Sequence, residues 1–377
     1  MENELNTLET GNLPKFEVHS FLTLSVKQGV SDIHLRVNSV PVVRKDGLIL
    51  KTKYAPLTEQ DMDDIVKIIV PQKLYHKVKT TYDFDFSIEM TNIARFRVNL
   101  LHDLGNVGFV LRVIPLDIPS IEDLYLPPSL KEFTNYNNGL VLITGPTGSG
   151  KSTTLATILN YLNQNTQKHV VTLEDPIEFI HNNQKSIFSQ RQLGVDTDSF
   201  PNGIKYALRQ DPDVILIGEM RDMDTIFSAL KAAETGHLVF STLHTTDAVQ
   251  TINRIINAFQ PYERDAVRMQ IASVLRGTVA QKLIKKRDNK GRVPATEVLV
   301  VTPAAKDYIE RNEIDRLYDL INKGSFNNMM SMNMSLLKLV KAGLISEEGA
   351  IEQSNNSNEM QQMLKGMFHG SQNTNLQ

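Results

Sequence analysis

Apolar and polar residues alternate over Ser31–Val37, with Ile33, Leu35 and Val37 set against Asp32, His34 and Arg36. That two-residue period predicts a half-buried strand. Val40–Val43 and Leu48–Leu50 flank Lys45-Asp46-Gly47 and read as two short strands around an Asp-Gly turn. Over Thr58–Lys79 the period changes, and Met62, Ile65, Val66 and Ile69 fall at helical spacing. Three further strands are expected at Tyr82–Ile88, Ala94–Leu101 and Gly108–Ile114. Together these elements make a small α+β domain over residues 16–115, preceded by a loose polar start at 1–15 and followed by a Pro-containing linker at 116–128.

A different pattern occupies residues 129–368. Gly139–Thr144, Val170–Leu173, Val214–Ile217, Leu238–Phe240 and Val298–Val301 are continuous apolar runs, and helical stretches separate the first four. Short buried strands alternating with helices predict an α/β domain with a mostly parallel sheet covered on both faces. From Pro303 the chain reads as helical, most clearly at Lys306–Lys323 and Leu336–Ala342, and residues 369–377 read as a loose tail. Lys282–Arg287 reads as a solvated basic turn, and Met329, Met330, Met332 and Met334 as adaptable packing.

Composition narrows the classes. The 377 residues are 41% apolar and 22% charged, with a formal net charge of −3, which gives no general pull toward nucleic acid or acidic lipid. There is no cysteine, hence no disulfide and no thiolate zinc site. Met1–Leu5 lacks the basic end and apolar stretch of a signal peptide. No run approaches the roughly 20 apolar residues that span a bilayer, so any membrane role is expected to run through a partner.

The sharpest signal is Gly145-Pro146-Thr147-Gly148-Ser149-Gly150-Lys151-Ser152, which matches G-x-x-x-x-G-K-[ST] between a buried strand and a helical stretch. Backbone N–H groups of such a loop cradle phosphate oxygens. Lys151 would reach the β- and γ-phosphates, and Ser152 would offer its hydroxyl to Mg²⁺. Ligands bind beyond the carboxyl ends of parallel strands, and three acidic or histidine-bearing segments fall there. These are Glu174-Asp175-Pro176-Ile177-Glu178, Gly218-Glu219-Met220-Arg221-Asp222 and Ser241-Thr242-Leu243-His244-Thr245. One such acid alone would serve equally well as a helix cap; three groups at one edge point to Mg²⁺ binding and water activation. Asp213 lies roughly 20 Å from Glu219 along an extended strand, which makes Glu219 the candidate Walker B acid. His237 and His244 are up to about 23 Å apart by the same rule, and His244 has the better position.

These segments together resemble the twitching-motility retraction ATPases of type IV pili, the PilT family within the secretion-ATPase superfamily. Walker A reads GPTGSGKSTT at 145–154, which adds Thr153 to the nucleotide-binding set. The Asp box reads LEDPIEFIH at 173–181, with Glu174 and Asp175. Walker B reads ALRQDPDVILIGEMRD at 207–222, and the His box AAETGHLVFSTLHTTDA at 232–248. The resemblance covers about residues 16–350. It implies an N-terminal PAS-like domain and a RecA-like P-loop ATPase domain in a ring-shaped homohexamer. It also implies a motor using ATP and Mg²⁺ that depolymerises pili from the cytoplasmic face of the bacterial inner membrane. The expected partner is the inner-membrane pilus platform protein, and the resemblance leaves room for a second retraction ATPase. It gives Glu178 and Glu219 the water-activating and Mg²⁺-linked roles, in an order left open. It places His237 beside His244 as a catalytic candidate, and it brings Arg97 and Arg112 to the nucleotide.

One segment departs from the family. Its motif AIRNLIRE, tied to retraction, reads Ala304-Ala305-Lys306-Asp307-Tyr308-Ile309-Glu310-Arg311, sharing only Ala304 and Ile309. Helical spacing survives, with Ala305, Tyr308 and Ile309 on one stripe. An accessory ring subunit with little hydrolysis of its own therefore stays open. A pilus-assembly or type II secretion ATPase is disfavoured: such relatives usually carry a further N-terminal domain and a four-cysteine zinc motif, whereas this chain begins almost directly in its PAS-like segment. A nucleic-acid translocase is disfavoured by the acidic balance.

Overall fold

The computed structural model describes residues 16–366 apart from 46, 92, 115, 325 and 326. The loose ends expected at 1–15 and 369–377 lie outside the described residues, as does Asp46 of the expected Asp-Gly turn. The protein is mixed α/β with two sheets, in two compact units. The first unit runs to Asp117 and takes back Pro176–Ile180, and the second holds Ile118–Asp175 and resumes at His181.

In the first unit α1 (Val18–Lys27), β1 (Asp32–Leu35), β2 (Val42–Lys45), β3 (Leu48–Lys51), α2 (Glu59–Ile69), α3 (Tyr75–Thr80), β4 (Phe84–Met90), β5 (Ala94–Asp103) and β6 (Asn106–Ile114) follow in order. The strands form an antiparallel sheet ordered β3-β2-β1-β6-β5-β4. Ile33, Leu35, Phe96, Val98, Leu100, Phe109 and Leu111 share a buried cluster with Phe21 and Leu22 of α1 and Met62 and Ile65 of α2. β1 covers only Asp32–Leu35 of the expected Ser31–Val37: Ile33 and Leu35 point into the core as expected, but Asp32 is buried as well. The helix expected over Thr58–Lys79 is two helices. Val70 precedes Pro71 and is held extended at φ −79° and ψ 124°, because the proline ring crowds the α-region of the residue before it.

The second unit contains α4 (Ser129–Glu132), β7 (Gly139–Thr144), α5 (Lys151–Asn165), β8 (His169–Glu174), β9 (Ile187–Gln192), α6 (Phe200–Ala207), β10 (Val214–Ile217), α7 (Met223–Glu234), β11 (Leu238–Leu243), α8 (Ala248–Asn257), α9 (Arg264–Val274), β12 (Leu275–Lys285), β13 (Arg292–Val300), α10 (Pro303–Glu310), α11 (Arg316–Lys323), α12 (Met332–Lys341), α13 (Glu347–Gln353) and α14 (Ser357–Leu364). Its sheet is ordered β13-β12-β7-β11-β10-β8-β9 and is parallel except that β13 runs antiparallel to β12. Two expectations change here, and the packing of the methionines holds. Ile121 and Leu126, in the expected linker, are buried with Leu159 and Phe240, so residues 118–128 are anchored on this unit by those two side chains. The expected basic turn is largely strand: Lys282–Lys285 pair with Arg292–Ala295. The methionines split, Met329 and Met332 being buried while Met330 bridges to Val298.

Candidate nucleotide site

β7 delivers the chain to the carboxyl edge of the sheet, where residues 145–150 turn into α5. The turn needs glycine. Gly145, Gly148 and Gly150 have φ of 145°, 77° and 89°, conformations that L side chains rarely adopt. A Cβ on Gly145 would also lie 2.3 Å from the Gln281 carbonyl oxygen and 2.6 Å from Ser149 Oγ. Gly150 is the N-cap of α5 and gives it no side-chain cap. The helix therefore opens on backbone N–H groups, the arrangement that accepts an anion. Ser149 Oγ and Thr144 Oγ1 are buried without a hydrogen-bond partner beside this turn. Lys151 folds back over it, and its Nζ donates to the carbonyls of Gly145 at 2.8 Å and Pro146 at 3.1 Å. Pro146, Thr147, Gly148 and Ser152 are exposed and Thr153 is half-buried.

Register places the other groups of this unit. Thr144 pairs with Leu243, and Ile217 with both Ser241 and Leu173, so Gly145, His244, Glu219 and Glu174 all follow strand ends on one edge. Met220 N–H donates to Thr242 O at 3.1 Å and Thr242 Oγ1 to Gly218 O at 2.7 Å, fixing the Walker B turn on the His-box strand. Glu219 Oε1 accepts from Arg221 Nε at 2.7 Å, and Oε2 lies 3.4 Å from His244 Nε2. Glu174 Oε1 accepts from Thr172 Oγ1 at 2.7 Å, and Asp175 is exposed. Among the described residues no group of three or more His, Asp or Glu is placed to hold a metal. Mg²⁺ that arrives on phosphates needs only a hydroxyl and one or two carboxylates, and Ser152 and Glu219 have that chemistry.

His237 and Asp213 lie away from this cluster. His237 stands at the opposite end of β11, where its backbone O accepts from Gly139 N–H at 3.0 Å. Its ring Nδ1 donates to Ala232 O at 3.1 Å, tying strand to helix end. Within one chain the length of β11 stands between it and His244. Asp213 likewise accepts from His169 N–H at 2.8 Å and joins strand starts.

The arginines and Glu178 belong to the first unit. Arg97 and Arg112 are directly opposed across β5 and β6, a like-charge pairing that costs stability unless anions offset it. Asp32 accepts from Arg112 Nε at 2.9 Å, and Asp85 and Glu178 lie 3.8 and 3.7 Å from the Arg97 guanidinium. Ser87 Oγ and Arg95 Nε both donate to Ile177 O, at 3.2 and 3.1 Å, which fixes the segment carrying Glu178 on this sheet.

Sequence reasoning missed a buried polar group behind the His box. Glu297 of β13 accepts from Ala248 N–H at 3.0 Å. Neighbouring Asp247 caps α8 through Gln250 N–H and accepts from Tyr318 of α11 at 3.1 Å. Burial first, then the Asp247 charge, push the Glu297 carboxyl up to about 7, against the Ala248 N–H and Lys282. The folded state thus holds a proton that the unfolded chain releases near 4.5. This contribution is full below about 4.5 and is lost as pH rises through about 7, worth about 3 kcal/mol. Glu297→Gln keeps the acceptor for Ala248 and cannot ionise. Its urea midpoint is expected to match wild type near pH 5 and exceed it near pH 8; parallel pH profiles would sink this assignment.

Residues 18–352 match the family described as type II/IV secretion system protein. The chain is 41% identical over 338 residues to the type IV pilus retraction ATPase PilT of Pseudomonas aeruginosa, covering 90% of this chain and 98% of that one. It is 39% identical over 345 residues to a twitching motility protein of Neisseria gonorrhoeae, covering 92% of each. The crystal structure of the pilus retraction motor PilT with bound ADP superposes with a TM-score of 0.85 at 40% identity, over 93% of this chain and all of that one. With that match over most of its length, the chain belongs to the type II/IV secretion system protein family.

Proposed function

We propose that the chain is an ATP-hydrolysing motor that powers type IV pilus retraction and twitching motility. The observation that carries the reading is an uncapped phosphate loop with Glu219 and His244 on the same strand edge, in a chain 41% identical to a retraction ATPase. Backbone N–H groups among residues 147–152 bind the phosphates, and Lys151 exchanges its two loop carbonyls for β- and γ-oxygens. Glu219 and Ser152 would hold the metal, His244 would orient the Glu219 carboxylate, and Glu178 would accept the proton of the attacking water. When bound, Mg²⁺ neutralises phosphate charge. The family resemblance assigns Arg97 and Arg112 to the nucleotide. The working form is a homohexamer at the cytoplasmic face of the inner membrane, acting on the pilus platform protein. Among the described residues no helix is long and apolar enough to cross a membrane. Complementing a retraction-deficient deletion strain tests the function: labelled pili should shorten again. Restored pilus number without shortening would indicate an assembly ATPase instead.

The output segment adds a prediction. Ala305 and Ile309 of α10 are buried, Tyr308 is half-buried, and Arg268 of α9 donates to Glu310 O at 3.2 Å. Outward, Lys306–Glu310 and Arg311–Asp307 pair along the helix at 3.7 and 2.9 Å. Such exposed pairs contribute little to stability and are free to serve a partner. Replacing Lys306 and Arg311 together by Ala should slow retraction while purified ATPase stays within about twofold. Equal loss of both activities would make the segment plain scaffold.

A further inference from the structure

β12 approaches the phosphate loop from the side opposite the His box, and its register with β7 ends at Ala280 and Thr144. Gln281 is thereby level with Gly145. Its side chain is buried, and both ends of its carboxamide are spent on the loop and its helix. Nε2 donates to Ser149 O at 2.7 Å, and Oε1 accepts from Thr154 Oγ1 at 2.8 Å. The contact extends to two of the loop glycines. The Gln281 carbonyl and Nε2 are the atoms that a Cβ on Gly145 or Gly150 would meet first, at 2.3 and 2.9 Å. One residue, distant in sequence, therefore touches Gly145, Ser149, Gly150 and the first turn of α5.

We infer that Gln281 is a positioning residue for the nucleotide, holding the phosphate loop in its binding shape by clamping Ser149 O to Thr154. This rests on the reading of residues 145–152 as an ATP site and deepens it. The chemistry fits a carboxamide in one orientation. A carbonyl needs a donor and a hydroxyl proton needs an acceptor, and glutamine supplies both from a single planar group. Glutamate at this position would set a carboxylate oxygen against the Ser149 carbonyl and bring negative charge beside the phosphates. A buried carbonyl that loses its donor is costly, and here the cost falls on the loop that meets the ligand. The clamp touches no reacting atom, so it acts equally on bound substrate and transition state. Its loss raises KM and leaves kcat largely intact.

The test measures ATP turnover and binding of a fluorescent ATP analogue for Gln281→Ala, Gln281→Glu, Thr154→Val and Thr154→Ser, with Lys151→Ala alongside. Gln281→Ala and Thr154→Val should raise KM and Kd about tenfold, with kcat within about threefold and an unchanged far-UV spectrum. Gln281→Glu should be worse than Gln281→Ala. Thr154→Ser, which keeps the hydroxyl, should bind as wild type. KM within twofold of wild type in both Gln281→Ala and Thr154→Val would overturn the inference, and so would a lowered melting temperature with KM unmoved. If Gln281→Ala does not fold, Thr154→Val against Thr154→Ser decides alone. Full hydrolysis by Lys151→Ala would instead overturn the site reading on which the inference stands.

Discussion

Lys151→Ala is expected to lose ATP hydrolysis to background while the protein stays folded. The side chain is 9% exposed, and its Nζ is held 2.8 Å from Gly145 O and 3.1 Å from Pro146 O. An ammonium held on loop carbonyls at the start of a helix is placed to meet phosphate oxygens. Removing one preorganised electrostatic stabiliser costs about 10²–10³-fold in turnover, and the lysine also binds the ground state, so affinity should fall with rate. Stability should change little, because alanine is the best helix former and Lys151 opens α5, where the cap is backbone only. The measurement is phosphate release at saturating ATP, with a circular dichroism melt of the same preparation. Near wild-type turnover would remove residues 145–152 as the hydrolytic site. A collapsed melt would show that the ammonium supports the loop itself.

Local signals were legible before the fold. The phosphate loop is contiguous, and its glycines answer to backbone geometry that any neighbour would impose. Val214–Ile217 is a strand at the bounds that its four apolar residues suggest, since a parallel strand buried on both faces leaves little room for polar residues. What escaped was set by pairing across long stretches of chain. β12 mixes Arg276, Gln281 and Lys282 into an apolar run, so neither period nor motif singles it out. Its strand character comes from β7 and β13 on either side, and the clamp on Ser149 depends on that register. Arg97 and Arg112 were picked from family likeness; their face-to-face pairing follows from antiparallel register and could not be read from spacing. Glu297 matches no motif, and its role as an acceptor for the N-terminus of α8 comes from the fold. Pro71 carried a readable warning, since proline inside a helical period marks a boundary.

Glu219→Gln and Glu178→Gln should each bind ATP with near wild-type affinity and hydrolyse it about 10²–10⁴-fold more slowly, the usual cost of losing a general base or its equivalent. Glutamine keeps the size of the side chain and removes the charge that draws Mg²⁺ or takes a proton. For Glu219 the loss is specific: its two oxygens face Arg221 at 2.7 Å and His244 at 3.4 Å. An amide can satisfy only one such donor through oxygen. The Arg221 side chain is 72% exposed, so breaking that pair should cost little stability. For Glu178 the neighbour is Arg97 at 3.7 Å, also partly solvated, and the same holds. The two variants separate by what restores them. A weakened metal site responds to excess Mg²⁺, so Glu219→Gln should recover part of its rate at raised Mg²⁺. A missing base does not, so Glu178→Gln should stay slow at every Mg²⁺ concentration. The reverse pattern would exchange the two roles. Either variant retaining more than about half of wild-type turnover would show that its carboxylate serves the fold and not the reaction.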